Sequence, residues 1–465
     1  MHKFKVKIIS ISLAVTLFYF LSAHAVQAAT LRVPQNYSTI QSAVNAAATG
    51  DIILVAPGTY HEEINLNKGI TLAAEQYDSL NPRNNQTVID AGGGSGGVIN
   101  IPQGLNSQPK ISGFWLRNAV SGTLAYSPFI IEFCYLTAAG DLGEYEKGSG
   151  GISRNNIYEG GGDDGIDLDH QIKPILIENN LITKNSQDGI EIRLQDDSIA
   201  QAVDIIIKNN RLELNGDGGG GDGIQIIDYQ TDTNRRFTIE RNLIIDNKQA
   251  GLGLMDNEDT SEDFRAASIR EQIRVINNTF SGNDHGISGG DNLLALNNIF
   301  ANNKNLALKN VDNKSQIAYN LFWNNGTDFT GSNVDLLHML KSDPKLTAGF
   351  QLQPGSPAVD AGTSAFTWTS LSGETVNIAL PPSEFTGSRP DLGRYETQGS
   401  VIPSPTGMGK PGDANGNGKV DGLDYVIWLN NYNKTVTNGA SSGDFNNSGK
   451  VDGLDYVIWL NNYNK

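Results

Sequence analysis

The sequence contains a single cysteine, Cys134, in 465 residues. One cysteine excludes a disulfide within the chain, so the fold must be stabilised by core packing or by bound metal. Basic residues are also scarce, because 34 Lys and Arg stand against 51 Asp and Glu and give a formal net charge of -17. This deficit argues against nucleic acid and anionic membrane surfaces as partners, and it is compatible with cation binding.

The longest apolar run lies at residues 8–21, near the N-terminus. Three lysines precede this run, and three alanines that fit a signal-peptidase site follow it. The run is short for a bilayer span, which favours a cleaved signal peptide over a retained membrane anchor. We therefore expect residues 1–28 to be a signal peptide, and the mature chain to be secreted or associated with the cell surface with no membrane segment left.

The middle of the chain repeats one pattern. Each repeat has an apolar run, a central asparagine, a second short apolar run, a turn, and then Gly-Ile or Gly-Leu, as in "ILIENNLITKNSQDGIEIRL". Successive asparagines are 20 to 36 residues apart. Steps of this size, built from β-branched segments, indicate a β-helix, a coil of short parallel strands. The repeated asparagines are Asn156, Asn180, Asn210, Asn242, Asn278, Asn298 and Asn320.

The same pattern assigns residues to the inside of the coil. Alternation along each strand points every second residue inward, where successive rungs stack as aliphatic columns. We expect the repeated asparagines to form an internal ladder at one corner, each amide bonding to the turn above or below. The predicted inward residues are Ile166, Leu168, Ile190, Ile192, Ile224, Ile226, Leu252 and Leu254.

Two further segments resemble known β-helix proteins. "LRVPQNYSTIQSAVNAAATGDIILVAPGTYHEEINLNKGITLAAE" is similar to the N-terminal segment of right-handed parallel β-helix proteins of the pectate-lyase-like superfamily, and "FQLQPGSPAVDAGTS" with "SRPDLGRYE" resembles their closing segment. The resemblance implies that residues 29–397 form an all-β right-handed parallel β-helix, a solenoid with an N-terminal capping helix around Ile40, Val44 and Ala47. It also implies a polysaccharide as the partner of this domain.

Polar residues at outward strand positions are the candidates for chemistry. The repeat aligns Asp167 with Glu191 on strands about 4.8 Å apart, and Asp169 with Arg193. We expect the carboxylates of Asp167 and Glu191 to face the same solvent, one rung apart. The candidate catalytic residues are Asp164, Asp167, His170, Asp188, Glu191 and Arg193.

This cluster leaves three interpretations open. Two carboxylates one rung apart repel each other and form an acid and base pair, as glycoside hydrolysis requires. The same cluster could chelate a further Ca²⁺ that neutralises a uronate carboxylate, while a base such as Arg193 abstracts the neighbouring proton. Alternatively, the Asp-Gly pairs at Asp164, Asp188 and Asp222 are only turn chemistry. The insertion "LGLMDNEDTSEDFRAASIREQ" is predicted to be a lid or a substrate wall.

After a Pro and Gly linker at residues 398–411, two loops share one register. From Asp413 and from Asp444, oxygen-bearing side chains stand at positions 1, 3, 5, 9 and 12, glycine stands at position 6, and the carbonyl at position 7 adds a ligand. The two loops therefore predict two Ca²⁺ sites in residues 412–465. The predicted ligands are Asp413, Asn415, Asn417, Lys419, Asp421 and Asp424 in the first loop, and Asp444, Asn446, Ser448, Lys450, Asp452 and Asp455 in the second.

Residues 412–465 resemble a dockerin, the duplicated calcium module that attaches carbohydrate-active enzymes to cohesin domains. The segment "KVDGLDYVIWLNNYNK" occurs twice without change and supplies the loop end, with Asp424 and Asp455 in the last position, and one helix per site. The resemblance implies a small α-helical domain with a cohesin-type scaffold protein as partner. We expect most of the helix aromatics, such as Tyr425 and Trp428, to pack in the core of the module.

Two functions remain open from the sequence. The first is a secreted carbohydrate-active enzyme, a glycoside hydrolase or polysaccharide lyase, tethered to its partner through the dockerin. The alternative is a non-catalytic cell-surface protein whose β-helix binds glycan or acts as a structural spacer, since the sequence carries no complete catalytic signature. The identity of the two tail copies predicts a module with near twofold symmetry that presents two equivalent surfaces to one partner.

Overall fold

The computed structural model describes residues 28–195, 199, 201–229, 233–256, 258, 260–397, 412–414, 419–436, 439–445 and 449–463. The predicted signal peptide, apart from Ala28, and the whole predicted linker lie outside the described residues. Four predicted calcium ligands also lie outside them, namely Asn415, Asn417, Asn446 and Ser448.

The described residues form short strands and three α-helices, α1 (Ile40–Ala46), α2 (Gly422–Asn431) and α3 (Gly453–Asn462). The strands are β1 (Thr30–Val33), β2 (Ile52–Val55), β3 (Gly58–Tyr60), β4 (Ile64–Asn65), β5 (Thr71–Ala74), β6 (Thr87–Ile101), β7 (Lys110–Ser112), β8 (Trp115–Ala125), β9 (Phe129–Glu132), β10 (Tyr135–Thr137), β11 (Gly143–Tyr145), β12 (Gly151–Arg154), β13 (Ile157–Glu159), β14 (Ile166–Asp169), β15 (Ile175–Glu178), β16 (Leu181–Thr183), β17 (Ile190–Leu194), β18 (Val203–Lys208), β19 (Arg211–Glu213), β20 (Ile224–Asp228), β21 (Arg235–Glu240), β22 (Leu243–Ile245), β23 (Ala250–Met255), β24 (Gln272–Ile276), β25 (Thr279–Ser281), β26 (His285–Ser288), β27 (Leu293–Leu296), β28 (Ile299–Ala301), β29 (Leu306–Lys309), β30 (Gln316–Ala318), β31 (Leu321–Trp323), β32 (Thr327–Thr330), β33 (Leu340–Lys341), β34 (Ala365–Thr369) and β35 (Thr375–Ala379).

Strands β1 to β33 form a parallel β-helix with three faces. The first face is one parallel sheet in the order β1-β2-β5-β7-β9-β12-β15-β18-β21-β24-β27-β30. The second face runs through β10, β13, β16, β19, β22, β25, β28 and β31, and the third through β11, β14, β17, β20, β23, β26, β29 and β32. The long strands β6 and β8 bend, so each pairs on both the second and the third face. The predicted parallel solenoid is confirmed.

The predicted inward columns fill the core of the coil. All eight predicted inward side chains are buried. The second face has its own inward column, which is aromatic in the later rungs. There Phe280, Phe300 and Phe322 stack with ring centroids 5.0 and 5.3 Å apart. Alternation therefore gives a continuous apolar core along the axis.

The predicted asparagine ladder lies at the corner between the first and second faces. The backbone N–H of each ladder asparagine donates to Oδ1 of the next, at 2.7 to 2.9 Å, from Asn156 as far as Asn320. Cys134 occupies the same corner one rung earlier, and its N–H donates to Asn156 Oδ1 at 2.9 Å. The lone cysteine is thus a buried part of the ladder corner.

A second asparagine ladder, which the sequence reasoning missed, lies at the corner between the second and third faces. Its amides bond to neighbouring rungs, as when Asn185 N–H donates to Asn215 Oδ1 at 3.2 Å. Each member follows a first-ladder asparagine by five residues, and that spacing was the available signal. The members are Asn185, Asn215, Asn247, Asn283, Asn303 and Asn325.

The predicted capping helix is α1. Its residues Ile40, Ala43 and Val44 are buried against the first rungs. Thr39 caps the helix by accepting the N–H of Ser42, and the carboxylate of Glu62 accepts two more N–H groups of the first turn, each at 2.9 Å. The helix therefore covers the open end of the coil.

Residues after the last rung pack back along the side of the coil. The antiparallel hairpin of β34 and β35 places Trp368 and Val376 over outward apolar residues of the first face. In the closing segment, the Arg394 guanidinium donates to the carbonyls of Asn210 and Asn209 at 2.8 and 3.0 Å. Apolar outward positions on these rungs are thereby removed from water.

The tail forms a helix pair with a near twofold pattern. Trp428 Nε1 donates to the carbonyl of Asp452 at 2.9 Å, and Trp459 Nε1 donates to the carbonyl of Asp421 at 3.0 Å. Both tryptophans are buried between α2 and α3, as predicted for the core of the module. None of the helices among the described residues is long and apolar enough to cross a membrane.

Candidate functional site

The predicted register on the third face is confirmed. Strand β14 pairs with β17 so that Asp167 lies opposite Glu191 and Asp169 lies opposite Arg193. On the next rung, Gln225 lies opposite Glu191. Parallel pairing therefore brings together residues that are 24 positions apart in the sequence.

The expectation that Asp167 and Glu191 face open solvent is wrong. Both side chains point away from the core, yet Asp167 is only 5% exposed and Glu191 only 4%. Arg193 lies across them: Nη1 is 3.0 Å from Asp167 Oδ2 and 3.3 Å from Asp169 Oδ1, and Nη2 pairs with Glu191. The three carboxylates raise the pKa of Arg193 above its usual range, which opposes the predicted role of this residue as a proton-abstracting base.

The aspartates that precede the third-face strands form a further ladder. The N–H of Asp188 donates to Asp164 Oδ1 at 2.6 Å, and that of Ala250 donates to Asp222 Oδ1 at 2.6 Å. The N–H of Asp164 likewise donates to Asp141 Oδ1 at 2.9 Å, one rung earlier. One oxygen of each carboxylate thus bonds to the turn of the next rung rather than capping its own turn, as the turn-chemistry interpretation expected, while the other oxygen remains for a second role.

The carboxylates converge into one acidic cluster. Oxygens of Asp141, Asp163 and Asp164 lie within 4.8 Å of one another, and so do oxygens of Asp164, Asp188 and Glu191. Sequence reasoning missed Asp141 and Asp163. Asp141 escapes a search for Asp-Gly because Leu142 follows it, and Asp163 is recognisable only as the neighbour of Asp164.

Burial and mutual repulsion shift the titration of this cluster. Burial is the largest cause in each case; it raises the pKa of Asp141 to about 6, that of Asp167 to about 9 and that of Glu191 to about 7. Burial and neighbouring carboxylates also raise the pKa of Asp164 and Asp188 well above the usual range. Such groups hold protons or a cation more readily than ordinary carboxylates.

The predicted lid lies over the far side of this cluster. We call residues 256–271, of which 257 and 259 lie outside the described residues, the covering loop. With its amide oriented to donate, Gln225 Nε2 is 3.3 Å from Glu191 Oε2 and 3.3 Å from the Thr260 carbonyl. The loop is anchored by Phe264, whose ring stacks on His285 at 4.0 Å. It therefore acts as a wall above Glu191.

His170 lies at the edge of the cluster. It directly follows Asp169 in a left-handed conformation, with φ of 53°, and is half-buried. Its ring meets that of Tyr229 edge-on, with centroids 6.3 Å apart.

A groove follows the turns that precede the acidic cluster in the chain. It has a volume of about 670 Å³ and follows the corner between the second and third faces. Its floor is made of small residues, including Gly92 to Gly94, Ala119 and Ala138 to Ala139. Ala139 lies two positions before Asp141 in the chain, so the groove lies close to the cluster.

In the tail, the described calcium-ligand candidates take matching places in both loops. Asp424 and Asp455, the last ligands, are fully buried at the start of α2 and α3. Asp424 Oδ2 accepts the N–H of Asp421, and Asp455 Oδ2 accepts that of Asp452, each at 2.8 Å. The remaining described candidates are Asp413, Lys419, Asp444 and Lys450.

Comparison with protein families gives two matches. Residues 110–264 match the family described as right handed beta helix region, and residues 411–463 match the dockerin type I domain. The chain is therefore a right-handed parallel β-helix protein that carries a C-terminal dockerin type I module.

Solved structures with a similar fold include that of pectate lyase Pel9A. It is 16% identical with a TM-score of 0.50, and the match covers 80% of this chain and 98% of the lyase. The A-module of mannuronan C-5 epimerase AlgE6 from Azotobacter vinelandii is 17% identical with a TM-score of 0.40, covering 64% of this chain and 94% of that one. An alginate lyase from Paenibacillus sp. is 14% identical with a TM-score of 0.31, covering 67% and 99%. No curated protein matches the chain.

Proposed function

We propose that the β-helix is a polysaccharide lyase that acts on a uronate-containing polysaccharide. The observation that carries the proposal is the convergence of five carboxylates, from Asp141, Asp163, Asp164, Asp188 and Glu191, close to a surface groove. Five carboxylates are more than the two that an acid and base pair needs. They match the oxygen ligands that Ca²⁺ prefers. The shared fold with a pectate lyase supports this class.

The residues present fit a bound Ca²⁺. Asp167 Oδ1 is buried and accepts no hydrogen bond from the described residues, so it has an oxygen to offer, whereas Glu191 Oε1 is the oxygen that pairs with Arg193. Asp141, Asp163 and Asp164 would hold the ion beside them. When bound, the cation would neutralise the uronate carboxylate and make the proton next to it easier to remove.

Arg193 and His170 have different roles in this proposal. Arg193 stays charged because three carboxylates surround it, so it positions Asp167 and Glu191 and offers a cation to a second uronate. His170 is the candidate base, since an imidazole can be neutral at pH 7. The substitution His170→Asn tests this assignment without straining the backbone, because Asn tolerates the positive φ at this position.

The test is turnover of a polysaccharide panel that contains polygalacturonate, alginate and neutral glycans. We expect 4,5-unsaturated products from one uronate polymer, calcium dependence, and a fall in kcat of about 100-fold or more in Asp167→Asn and in Glu191→Gln. Asp204→Asn, an exposed change on the first face, is the control and should keep full activity. A panel without turnover, combined with undiminished glycan binding by both site variants, would contradict the proposal.

A glycoside hydrolase is the second candidate. It is favoured by the raised pKa of Glu191, about 7, which suits a general acid. The two enzymes differ in their products, because hydrolysis releases saturated reducing ends only. Glycan binding without any turnover would instead favour the non-catalytic alternative, in which the coil binds glycan or acts as a spacer.

We further propose that the dockerin module binds two Ca²⁺ ions and tethers the enzyme to a cohesin-type protein. Equivalent apolar side chains are exposed on both helices: Leu429 and Leu460 are each 50% exposed, and Tyr432 and Tyr463 lie beside them. These pairs, rather than the buried tryptophans, are the two equivalent surfaces. Changing Leu429 or Leu460 alone to Asp should leave cohesin binding nearly intact, and changing both should abolish it. A single variant that loses as much binding as the double variant would rule out two equivalent surfaces.

We also propose that residues 1–28 direct secretion and that residues 398–411 link two independently folded domains, 29–397 and 412–465. Mass spectrometry of the exported protein should find an N-terminus at or near residue 29. Retention of the N-terminal segment in the exported protein would contradict this part of the proposal.

A further inference from the structure

Two carboxyl oxygens from distant parts of the chain meet over Gly253. Asp222 Oδ2 and Glu262 Oε2 both lie where a Cβ at this position would stand. Gly253 is a position in the outward row of the third face, opposite Gln225 on one side and Ser288 on the other. The missing side chain leaves a gap in that row, one rung beyond the cluster of Asp164, Asp188 and Glu191.

Both carboxylates direct an unused oxygen into this gap. Asp222 is fully buried, and its Oδ1 is taken by the N–H of Ala250. Glu262 is only 9% exposed, its Oε1 accepts the N–H of Phe264 at 2.5 Å, and its Oε2 is buried without a hydrogen-bond partner among the described residues. A buried carboxylate oxygen with no donor is costly unless something positive satisfies it.

Neutral oxygens complete the surroundings. In the orientation in which the Gln225 amide nitrogen donates to Glu191 and to the Thr260 carbonyl, the amide oxygen of Gln225 faces Asp222 Oδ2. These two atoms are then 3.5 Å apart. Ser288 Oγ lies 3.5 Å from Glu262 Oε1. Two carboxylates, an amide oxygen and a hydroxyl form a donor set made only of oxygen, which hard divalent cations prefer.

We propose that a divalent cation of the calcium type binds over Gly253 between Asp222 and Glu262 and fastens the covering loop to the coil. Asp222 belongs to a rung of the β-helix and Glu262 to the loop, so the ion joins two parts that also meet through other contacts, among them the Phe264 and His285 stack and the buried Ala267 and Ile269. The site is separate from the dockerin loops and from the proposed catalytic cluster. Its role is to order the loop, whatever reaction the cluster performs.

The test measures how calcium protects the covering loop in the full-length protein. Arg265 and Arg270 are exposed within the loop and give trypsin two cleavage points there. The background carries Asp424→Asn and Asp455→Asn, so that the tail loops do not contribute. At a calcium concentration ten times the Kd, linkage predicts cleavage about tenfold slower than in chelator. The variant Glu262→Gln should lose this protection and one bound calcium in equilibrium dialysis. Glu258→Gln, an exposed change in the same loop, should keep both.

A second variant distinguishes loss of the calcium site from misfolding. Gly253→Ala places a methyl group where the oxygens converge, so it should also remove the calcium effect while leaving the circular dichroism of the β-helix unchanged. The proposal is overturned if calcium slows cleavage equally in Glu262→Gln and the parent. It is also overturned if cleavage depends on pH between 6 and 8 and ignores calcium, because Asp222 and Glu262 would then share a proton.

Discussion

Buried carboxyl groups carry the greatest electrostatic cost among the single residues of the coil. Removing an ion from water costs several kcal/mol unless the ion is paired. Arg193 pairs with Asp167, Asp169 and Glu191, while Asp164 and Asp188 rely on backbone N–H groups of the next rung. These buried carboxylates are stable when protons or cations bind to them. The pH and the concentration of cations should therefore change the charge of the site.

Glu396, in the closing segment, provides a pH-dependent stability change away from any proposed metal site. Burial, and then the Asp391 carboxylate, raise its pKa to about 7, although Arg241 opposes the shift. Since the folded state binds this proton more tightly than the unfolded state does, the contribution of Glu396 to stability falls as pH rises from about 4.5 to about 7. Glu396→Gln should therefore raise the melting temperature more at pH 8 than at pH 5, by an equivalent of about 1–2 kcal/mol. An equal effect at both pH values would contradict the shift.

Asn247 tests the second asparagine ladder. Its Oδ1 accepts the side-chain N–H of Asn215 at 2.9 Å, and its Nδ2 donates to Asn283 Oδ1 at 3.0 Å. Asn247→Ala leaves buried partners unsatisfied, so we expect a loss of about 2–3 kcal/mol in the free energy of unfolding, measured in urea. Asn305→Ala removes an exposed amide and should cost much less. Equal losses would mean that the ladder adds no stability beyond surface bonding.

At the scale of elements, the regular rungs were predictable and the irregular ones were not. From β12 onward each rung carries the ladder asparagine and most carry the following glycine, so faces and register follow from spacing. Strands β6 and β8 lack that pattern, and their bends depend on glycines that pack against the neighbouring rung. The hairpin of β34 and β35 also escaped prediction, because its place on the first face is set by contacts with residues some 70 positions away.

In the candidate site, too, some features were predictable from the sequence and others were not. The positions of Asp167, Glu191 and Arg193 on adjacent strands followed from the repeat, because parallel pairing keeps equivalent residues together. Their burial did not follow from it. Burial arises because the Arg193 side chain folds over both carboxylates and because the covering loop places the Thr260 carbonyl beside Gln225, and neither contact has a local sequence signal.

The aromatic column is the element that most clearly stabilises the later rungs. Phe300 stacks between Phe280 and Phe322 and is fully buried. Phe300→Ala should leave a cavity and lower the free energy of unfolding of the β-helix by about 3–5 kcal/mol, as measured by denaturant unfolding. Phe329→Ala, at a partly buried ring of the third face that meets Phe322 edge-on, should cost clearly less. If both changes cost the same, stacking inside the column adds nothing beyond burial.

At the scale of the whole molecule, the two folded parts are stabilised differently. The β-helix has a continuous apolar core and hydrogen-bonded ladders along its axis. The tail has two short helices, one pair of buried tryptophans and buried aspartates at the start of each helix. A domain this small needs support beyond its core, and in our proposal calcium bound by its two loops is that support.

Calcium removal should therefore unfold the tail and spare the coil. In chelator, the carboxylates of Asp424 and Asp455 lose the cation that balances their burial, so α2 and α3 should lose helicity and protection from hydrogen exchange. Exchange in the strands of the first face should stay unchanged, with the third-face cluster and the covering loop considered separately because each has a calcium site of its own in our proposals. A full-length variant with Asp424→Asn and Asp455→Asn is the matched control, and it should exchange like the chelated protein even with calcium present. Protection of α2 and α3 that persists in chelator would mean that the tail folds without metal, and the two loops would then be polar turns rather than ion sites.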